Sequence, residues 1–264
     1  MSPDASPPPL QGRRIVVTRA DGQNHSLIAG LSALGVDAIA LPTIRIAPAT
    51  EPLHLIYALQ AWRDFDLCIF ASANAVHSVA RHARAAAIDL VRGRPFICAQ
   101  GPATAAAWEQ ECGCRPELVP TTFNAEGMLA ALAATPMRDC KVFVPGAEGG
   151  RDELARGLMR RGAIVTRVPA YRTELAAGSE GLARALFPGA DAAIFTSPST
   201  ARHLALLLGP DYRQRLQRTA LAVIGPVTRR EVERLGLQVA VEARQATEPS
   251  LIAALSAYFN ARIA

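Results

Sequence analysis

Short, near-continuous apolar runs alternate along this chain with stretches of helical periodicity. In the first half the runs fall at residues 15–17, 38–41, 67–70, 96–98 and 118–119. In the second half they fall at 142–144, 164–168, 192–195, 221–224 and 239–241. Such runs are what parallel strands buried on both faces require. Between them lie segments such as Arg151-Asp-Glu-Leu-Ala-Arg-Gly-Leu-Met159, whose apolar residues follow a helical spacing. Five strands alternating with helices predict an α/β, flavodoxin-like, doubly wound parallel-sheet unit, present twice.

The chain also resembles itself. Ile15-Val-Val-Thr-Arg-Ala-Asp-Gly22 matches Val142-Phe-Val-Pro-Gly-Ala-Glu-Gly149 at a spacing of 127 residues, which continues through Leu27/Leu154, Leu31/Leu158, Gly35/Gly162 and Pro42/Pro169. Cys68-Ile-Phe-Ala-Ser72 matches Ala193-Ile-Phe-Thr-Ser197 at 125, and Gly101-Pro-Ala-Thr104 matches Gly225-Pro-Val-Thr228 at 124. Three blocks in the same order, with slowly drifting spacing, point to an internal duplication of whole domains rather than a solenoid.

Each half carries a Pro-marked extended stretch after its second strand, at 41–52 and 168–173. Two contiguous domains need only one connection, near 134–139. Two matched connections suggest that the chain crosses between domains twice. The expected domains are then 10–44 with 173–264, and 45–172, after a disordered lead at 1–9. A contiguous division remains the alternative at this stage.

Composition narrows the function classes. Half of the 264 residues are hydrophobic, enough for sizeable cores and too many for a disordered chain. No apolar run approaches the roughly 18 residues of a membrane span. The Pro-rich start has no apolar signal-peptide segment, so a cytoplasmic protein is expected. The net charge is +5, carried by scattered Arg residues with Lys141 as the single Lys. Either compositional bias or an acidic substrate explains this excess. No basic run with interleaved aromatics marks a nucleic-acid surface, and a monomer is expected. Five Cys and five His show neither disulfide nor metal-ligand spacing.

In doubly wound sheets, ligands bind beyond the carboxyl ends of the strands. The turns there begin at Thr18, Ala71, Gly101, Pro145, Thr196 and Gly225, are rich in Gly and small hydroxyl residues, and precede helices. Ordinary capping accounts for many such residues. A set of helix N-termini that hold anions is the functional reading, and the two are compatible. Nucleotide-loop fingerprints, a nucleophile elbow and a Ser/His/Asp set are all missing. Arg19 and Arg151 are either solvated structural residues or ligand contacts. Tyr171, in the second connection, is either a buried linker residue or a phenol that faces a ligand.

The ordered motifs Val17-Thr-Arg19, Phe70-Ala-Ser-Ala-Asn-Ala-Val76, Gly101-Pro-Ala-Thr104, Gly149-Gly-Arg151, Tyr171-Arg172, Phe195-Thr-Ser-Pro-Ser199, Ile224-Gly-Pro-Val-Thr228 and Ala246-Thr-Glu-Pro-Ser-Leu251 resemble the uroporphyrinogen-III synthase family over residues 13–258. One departure is Ala71, where that family more often carries Thr. The resemblance implies two flavodoxin-like domains joined by a two-stranded linker, and cyclisation of hydroxymethylbilane, a linear tetrapyrrole, with loss of water and inversion of ring D. Azafulvene and spiro intermediates are implied, with no metal or organic cofactor. It implies Tyr171 as the catalytic residue. For the carboxylates of such a substrate, Arg19, Ser72, Asn74, Thr104, Arg151, Ser197 and Thr228 are the expected binding residues, and the preceding pathway enzyme is an expected transient contact. A two-lobed binding or sensor module without turnover is the alternative class.

Overall fold

The computed structural model describes residues 10–262; the expected lead at 1–9 lies outside them. In chain order the elements are β1 (Arg14–Val17), α1 (His25–Ser32), β2 (Asp37–Ala40), β3 (Ile44–Pro48), α2 (Leu53–Gln60), β4 (Leu67–Phe70), α3 (Ala73–Ala85), β5 (Phe96–Ala99), α4 (Pro102–Cys112) and α5 (Ala125–Ala131). They continue with β6 (Lys141–Ala147), α6 (Glu153–Arg160), β7 (Ile164–Leu175), α7 (Glu180–Leu186), β8 (Ala192–Phe195), α8 (Pro198–Leu208), α9 (Tyr212–Leu216), β9 (Ala220–Val223), α10 (Pro226–Arg234), β10 (Val241–Glu242) and α11 (Glu248–Asn260).

The chain divides into two compact units. One takes Met1–Arg45 and Glu174–Ala264; the other takes Ile46–Thr173. β3 and β7 run from one unit into the other. Each unit has its own sheet. In the first the order is β10-β9-β8-β1-β2, with every pairing parallel. In the second it is β3-β7-β6-β4-β5, with β7, β6, β4 and β5 parallel to one another.

Alternation along each strand fills a core on both sheet faces. In the first unit Ile15, Val17 and Ile194 pack with Leu27 and Leu31 of α1 and Leu251 and Leu255 of α11. Val16, Ala193 and Phe195 face the other way, toward α7, α8 and Val232 of α10. In the second unit Cys68, Phe70 and Phe143 meet Leu55 of α2, Val76 of α3 and Trp108 of α4. Leu67, Ile69 and Val142 meet Met128 of α5 and Leu158 of α6. Strands apolar at every position follow from a sheet covered on both sides.

Several strands differ from expectation at their ends. Leu118 forms only an isolated bridge to Cys98, and β10 has two residues. The stretch expected as a linker at 168–173 belongs to β7, a strand of twelve residues. β3 occupies part of the first Pro-marked stretch. Pro169 can lie in a strand because a β-bulge interrupts the β6–β7 ladder beside it. The repeat-matched Gly35 and Gly162 both take positive φ, +75° and +89°, in the turns that return α1 and α6 to their next strands.

Candidate active site

The second unit brings together three of the predicted residues. Ser72, two residues beyond the end of β4, caps α3, accepting the Ala75 N–H at 3.2 Å. Its hydroxyl also shares a hydrogen bond with the Tyr171 phenol, 3.1 Å away, and either oxygen can donate. The Asn74 side chain, in the first turn of the same helix, bonds the same phenol. Tyr171 lies on β7, 8% exposed, within the buried cluster that also contains Trp62, Trp108 and Phe143. Burial pushes the phenol's pKa above its ordinary value of 10.0, and the Ser72 and Asn74 bonds offset part of that rise. At neutral pH the group is therefore a proton-bearing donor, anchored at the oxygen by the N-terminus of α3.

The backbone around Tyr171 is held as well. Its carbonyl accepts the Glu148 N–H at 2.7 Å. The Glu148 carboxylate accepts the Thr50 N–H at 2.8 Å and the Thr50 hydroxyl at 2.9 Å. Arg172 Nη1 donates to the Thr50 hydroxyl at 3.0 Å. These bonds, first of all the one from the Thr50 backbone, hold the Glu148 carboxyl below its usual range. Thr50 and Glu148 are absent from the sequence-based set. Their only mark was position, Glu148 within the Gly-rich segment after β6 and Thr50 within a Pro-marked stretch.

The other predicted residues occupy distinct settings. Thr104 and Thr228 sit in the first turns of α4 and α10, whose N-caps are Gly101 and Gly225 and whose first residue is Pro in each case. Both Thr side chains are buried, so what these turns present outward is chiefly backbone. Ser197 caps α8 through the Thr200 N–H at 3.4 Å and bonds the Ser199 hydroxyl at 2.9 Å. Arg151 is exposed beside α6 and forms no ion pair among the described residues. Arg19 is engaged by Glu248 at the first turn of α11, and Ser26 donates to the same carboxylate at 2.8 Å. The sequence set did not include Glu248, which lies 229 residues away.

Thiols do not enter this arrangement. All five Cys are free; burial pushes Cys68 well up and Cys98 and Cys112 up to about 12, far from the thiolate form. Among the described residues no group of His, Cys, Asp or Glu could hold a metal ion, and no helix is long and apolar enough to cross a membrane.

Comparisons with known proteins agree on one family. A sequence profile described as uroporphyrinogen-III synthase HemD matches residues 25–253. The uroporphyrinogen-III synthase of Synechococcus elongatus is 33% identical over 254 residues, covering 94% of this chain and 96% of that one. Among solved structures, a mutant uroporphyrinogen III synthase from the extremely thermophilic bacterium Thermus thermophilus superposes with a TM-score of 0.63 at 18% identity, covering 95% of this chain and all of that one. The Helicobacter pylori enzyme gives a TM-score of 0.55 at 18% identity, covering 93% and 99%. At those identities the structures speak for the fold, whereas the profile and the Synechococcus relative reach further: this chain belongs to the uroporphyrinogen-III synthase family.

Proposed function

We propose that the protein cyclises hydroxymethylbilane to uroporphyrinogen III, losing water and inverting ring D. The observation that carries this reading is the buried, protonated Tyr171 phenol, fixed by Ser72 and Asn74 at the start of α3 in a chain of this family. The leaving hydroxyl of the bilane is expelled by its electron-rich pyrrole, and Tyr171 donates a proton or hydrogen bond to it as it departs. The resulting azafulvene cation is attacked by the substituted carbon of ring D to give a spiro intermediate. Fragmentation and reclosure then invert the ring, and loss of a proton restores aromaticity. Closure at the unsubstituted position gives isomer I, so the protein's main task is to hold one conformation of a flexible chain.

The substrate's acetates and propionates supply the grip. Ser72, Asn74 and Ser197, and the backbone N–H groups at the helix starts that carry Thr104 and Thr228, donate hydrogen bonds to these carboxylates, and Arg19 and Arg151 add charge. Charge-assisted bonds from the helix starts contribute roughly 1.5–3 kcal/mol each, and the more exposed Arg pairs at most about 1 kcal/mol.

The architecture is read as two flavodoxin-like domains, 10–44 with 173–264 and 45–172, descended from one duplicated unit. The strand orders support it. β1, β2, β8, β9 and β10 take the places in one sheet that their repeat partners β6, β7, β4, β5 and Leu118 take beside one another in the second.

The test is an isomer assay. Freshly generated hydroxymethylbilane is given to the purified protein, the products are oxidised, and uroporphyrins I and III are separated. Isomer III is expected to predominate. Isomer I alone, at the rate seen without protein, would overturn the reading and turn attention to binding without turnover.

A further inference from the structure

We propose that Ser78 is a positioning residue for Tyr171, fastening the bulge of β7 that aims the phenol at the start of α3. The inference rests on the proposed role of Tyr171 and extends it to a residue outside the set derived from sequence.

The first observation is the register of β6 and β7. Val168 lies opposite Pro145 and Pro169 opposite Gly146, but the next pair is Ala147 with Tyr171, so Ala170 is passed over. A bulge of this kind puts two residues of one strand against one of the other and re-aims the side chains that follow. Its consequence is visible in the core. Side chains two apart share a face of a strand, and Val168 and Ala170 both pack against the cluster that contains Phe70 and Trp108. Regular alternation would send Tyr171 to the opposite face. Tyr171 packs against that same cluster, next to Ala170, and so reaches Ser72 and Asn74.

The second observation is what holds the passed-over residue. Ala170 is fully buried, and its carbonyl accepts a hydrogen bond from the Ser78 hydroxyl, itself only 3% exposed. Ser78 is four residues after Asn74 on α3, on the same helix face. One face of α3 therefore bonds β7 at two levels, the phenol through Ser72 and Asn74 and the backbone just before it through Ser78. A serine inside a helix commonly turns its hydroxyl back to the carbonyl four residues earlier. Ser256 of α11 does so, bonding the Ile252 carbonyl at 3.0 Å. Ser78 instead leaves its own helix to meet the bulge. Without that hydroxyl the bulge keeps its shape only by burying a carbonyl with one partner fewer, so the strand is free to move there.

Ser78→Ala removes the donor with little change of volume. Ser78→Thr restores a hydroxyl. Thr219→Val, in the other unit, removes a buried hydroxyl from the Ala190 carbonyl and serves as the control for general loss of stability. The full-length chain is assayed for isomer III formation, and Tyr171 is followed by the ultraviolet titration that separates wild type from Tyr171→Phe. Ser78→Ala is expected to lower kcat about tenfold with KM nearly unchanged, as small misplacements of a reacting group do. The Tyr171 titration should move down toward the ordinary tyrosine value as water enters. Ser78→Thr should recover most of both, and Thr219→Val should lower Tm without moving either. In the Tyr171→Phe background, Ser78→Ala should cost nothing further.

The proposal is overturned if Ser78→Ala keeps the wild-type kcat and titration, or if its effect multiplies with that of Tyr171→Phe. A Tyr171→Phe protein as fast as wild type would remove Tyr171 from the reaction. The titration would still show separately whether Ser78 fixes the phenol. Should Ser78→Ala fail to fold, Ser78→Cys, close in volume and a weaker donor, carries the same comparison.

Discussion

Ser72 and Ser197 begin as the same residue in two settings. Each follows a buried four-residue strand ending in Phe, each takes extended backbone at an N-cap, and each accepts the N–H three residues on. They part at the second bond. Ser72 reaches the Tyr171 phenol, while Ser197 stays local and bonds Ser199. The second partner of Ser72 comes from β7, which lies two strands from β4 in the sheet order. At the repeat spacing, Tyr171 corresponds to Ile44, a buried aliphatic side chain with no group to bond. The two units thus share a Ser-capped helix start, and of the two caps Ser72 is the one that bonds a phenol.

Tyr171→Phe should have the largest effect on activity, because it erases that difference between the two units. A positioned general acid contributes upward of about 100-fold. The bilane's leaving group is already activated by its pyrrole, so a fall in kcat of about 10- to 100-fold is expected, with turnover retained. Initial rates of isomer III formation check it. A mutant rate equal to wild type would make the two helix starts chemically alike.

The same phenol leaves a signature in alkaline stability. Its folded pKa lies above the unfolded value of 10.0 because burial disfavours the phenolate. Between those two values the unfolded chain has lost the proton and the folded chain has kept it. Stability is therefore complete below pH 10 and declines as pH rises from there through the folded pKa. Thermal melts across this range should fall less steeply for Tyr171→Phe than for wild type. Parallel curves would mean that the phenol is open to water.

How much of this was legible in the sequence depends on how local its cause is. Strands buried on both faces announce themselves as apolar runs, and β4, β8 and β9 lie within a residue of where such runs fall. β3 escaped because exposed Arg45 and Pro48 make it resemble a linker. β7 continued past Pro169, a residue unable to donate to a ladder, because its bulge changes the pairing there. The strand-end turns were legible because Gly, Ser and Thr mark helix starts. The bond from Ser78 to Ala170 was not, since a serine in an Ala-rich helix carries no local mark of what it will meet 92 residues later. The Arg19–Glu248 pair was hidden by the same long separation.

Removing the two caps divides stability from catalysis. Ser72→Ala and Ser197→Ala each lose an N-cap bond and should cost about 1 kcal/mol in unfolding free energy. Their activities should differ. Ser72→Ala also removes one of the phenol's two partners and should lower kcat several-fold, while Ser197→Ala should leave kcat in place and raise KM. Equal stability losses with equal kcat losses would mean that Ser72 acts as a cap alone.

The smallest effects belong to the two arginines, and there the units are expected to differ in degree. Arg19 already faces Glu248, with about a quarter of each side chain exposed, so much of its charge is answered within the protein. Arg151 is exposed and free of such a partner among the described residues. Exposed ion pairs contribute at most about 1 kcal/mol, so Arg151→Gln should raise KM by no more than about fivefold, and Arg19→Gln by less. Added salt should shrink both differences, since solvent-exposed charges are screened. Glu248→Gln gives the opposite sign. It releases the Arg19 guanidinium and should lower KM slightly, at some loss of helix stability, because an acidic side chain suits the N-terminus of α11. If Glu248→Gln raises KM instead, the pair is the working element and Arg19 serves to place α11 rather than to hold a carboxylate.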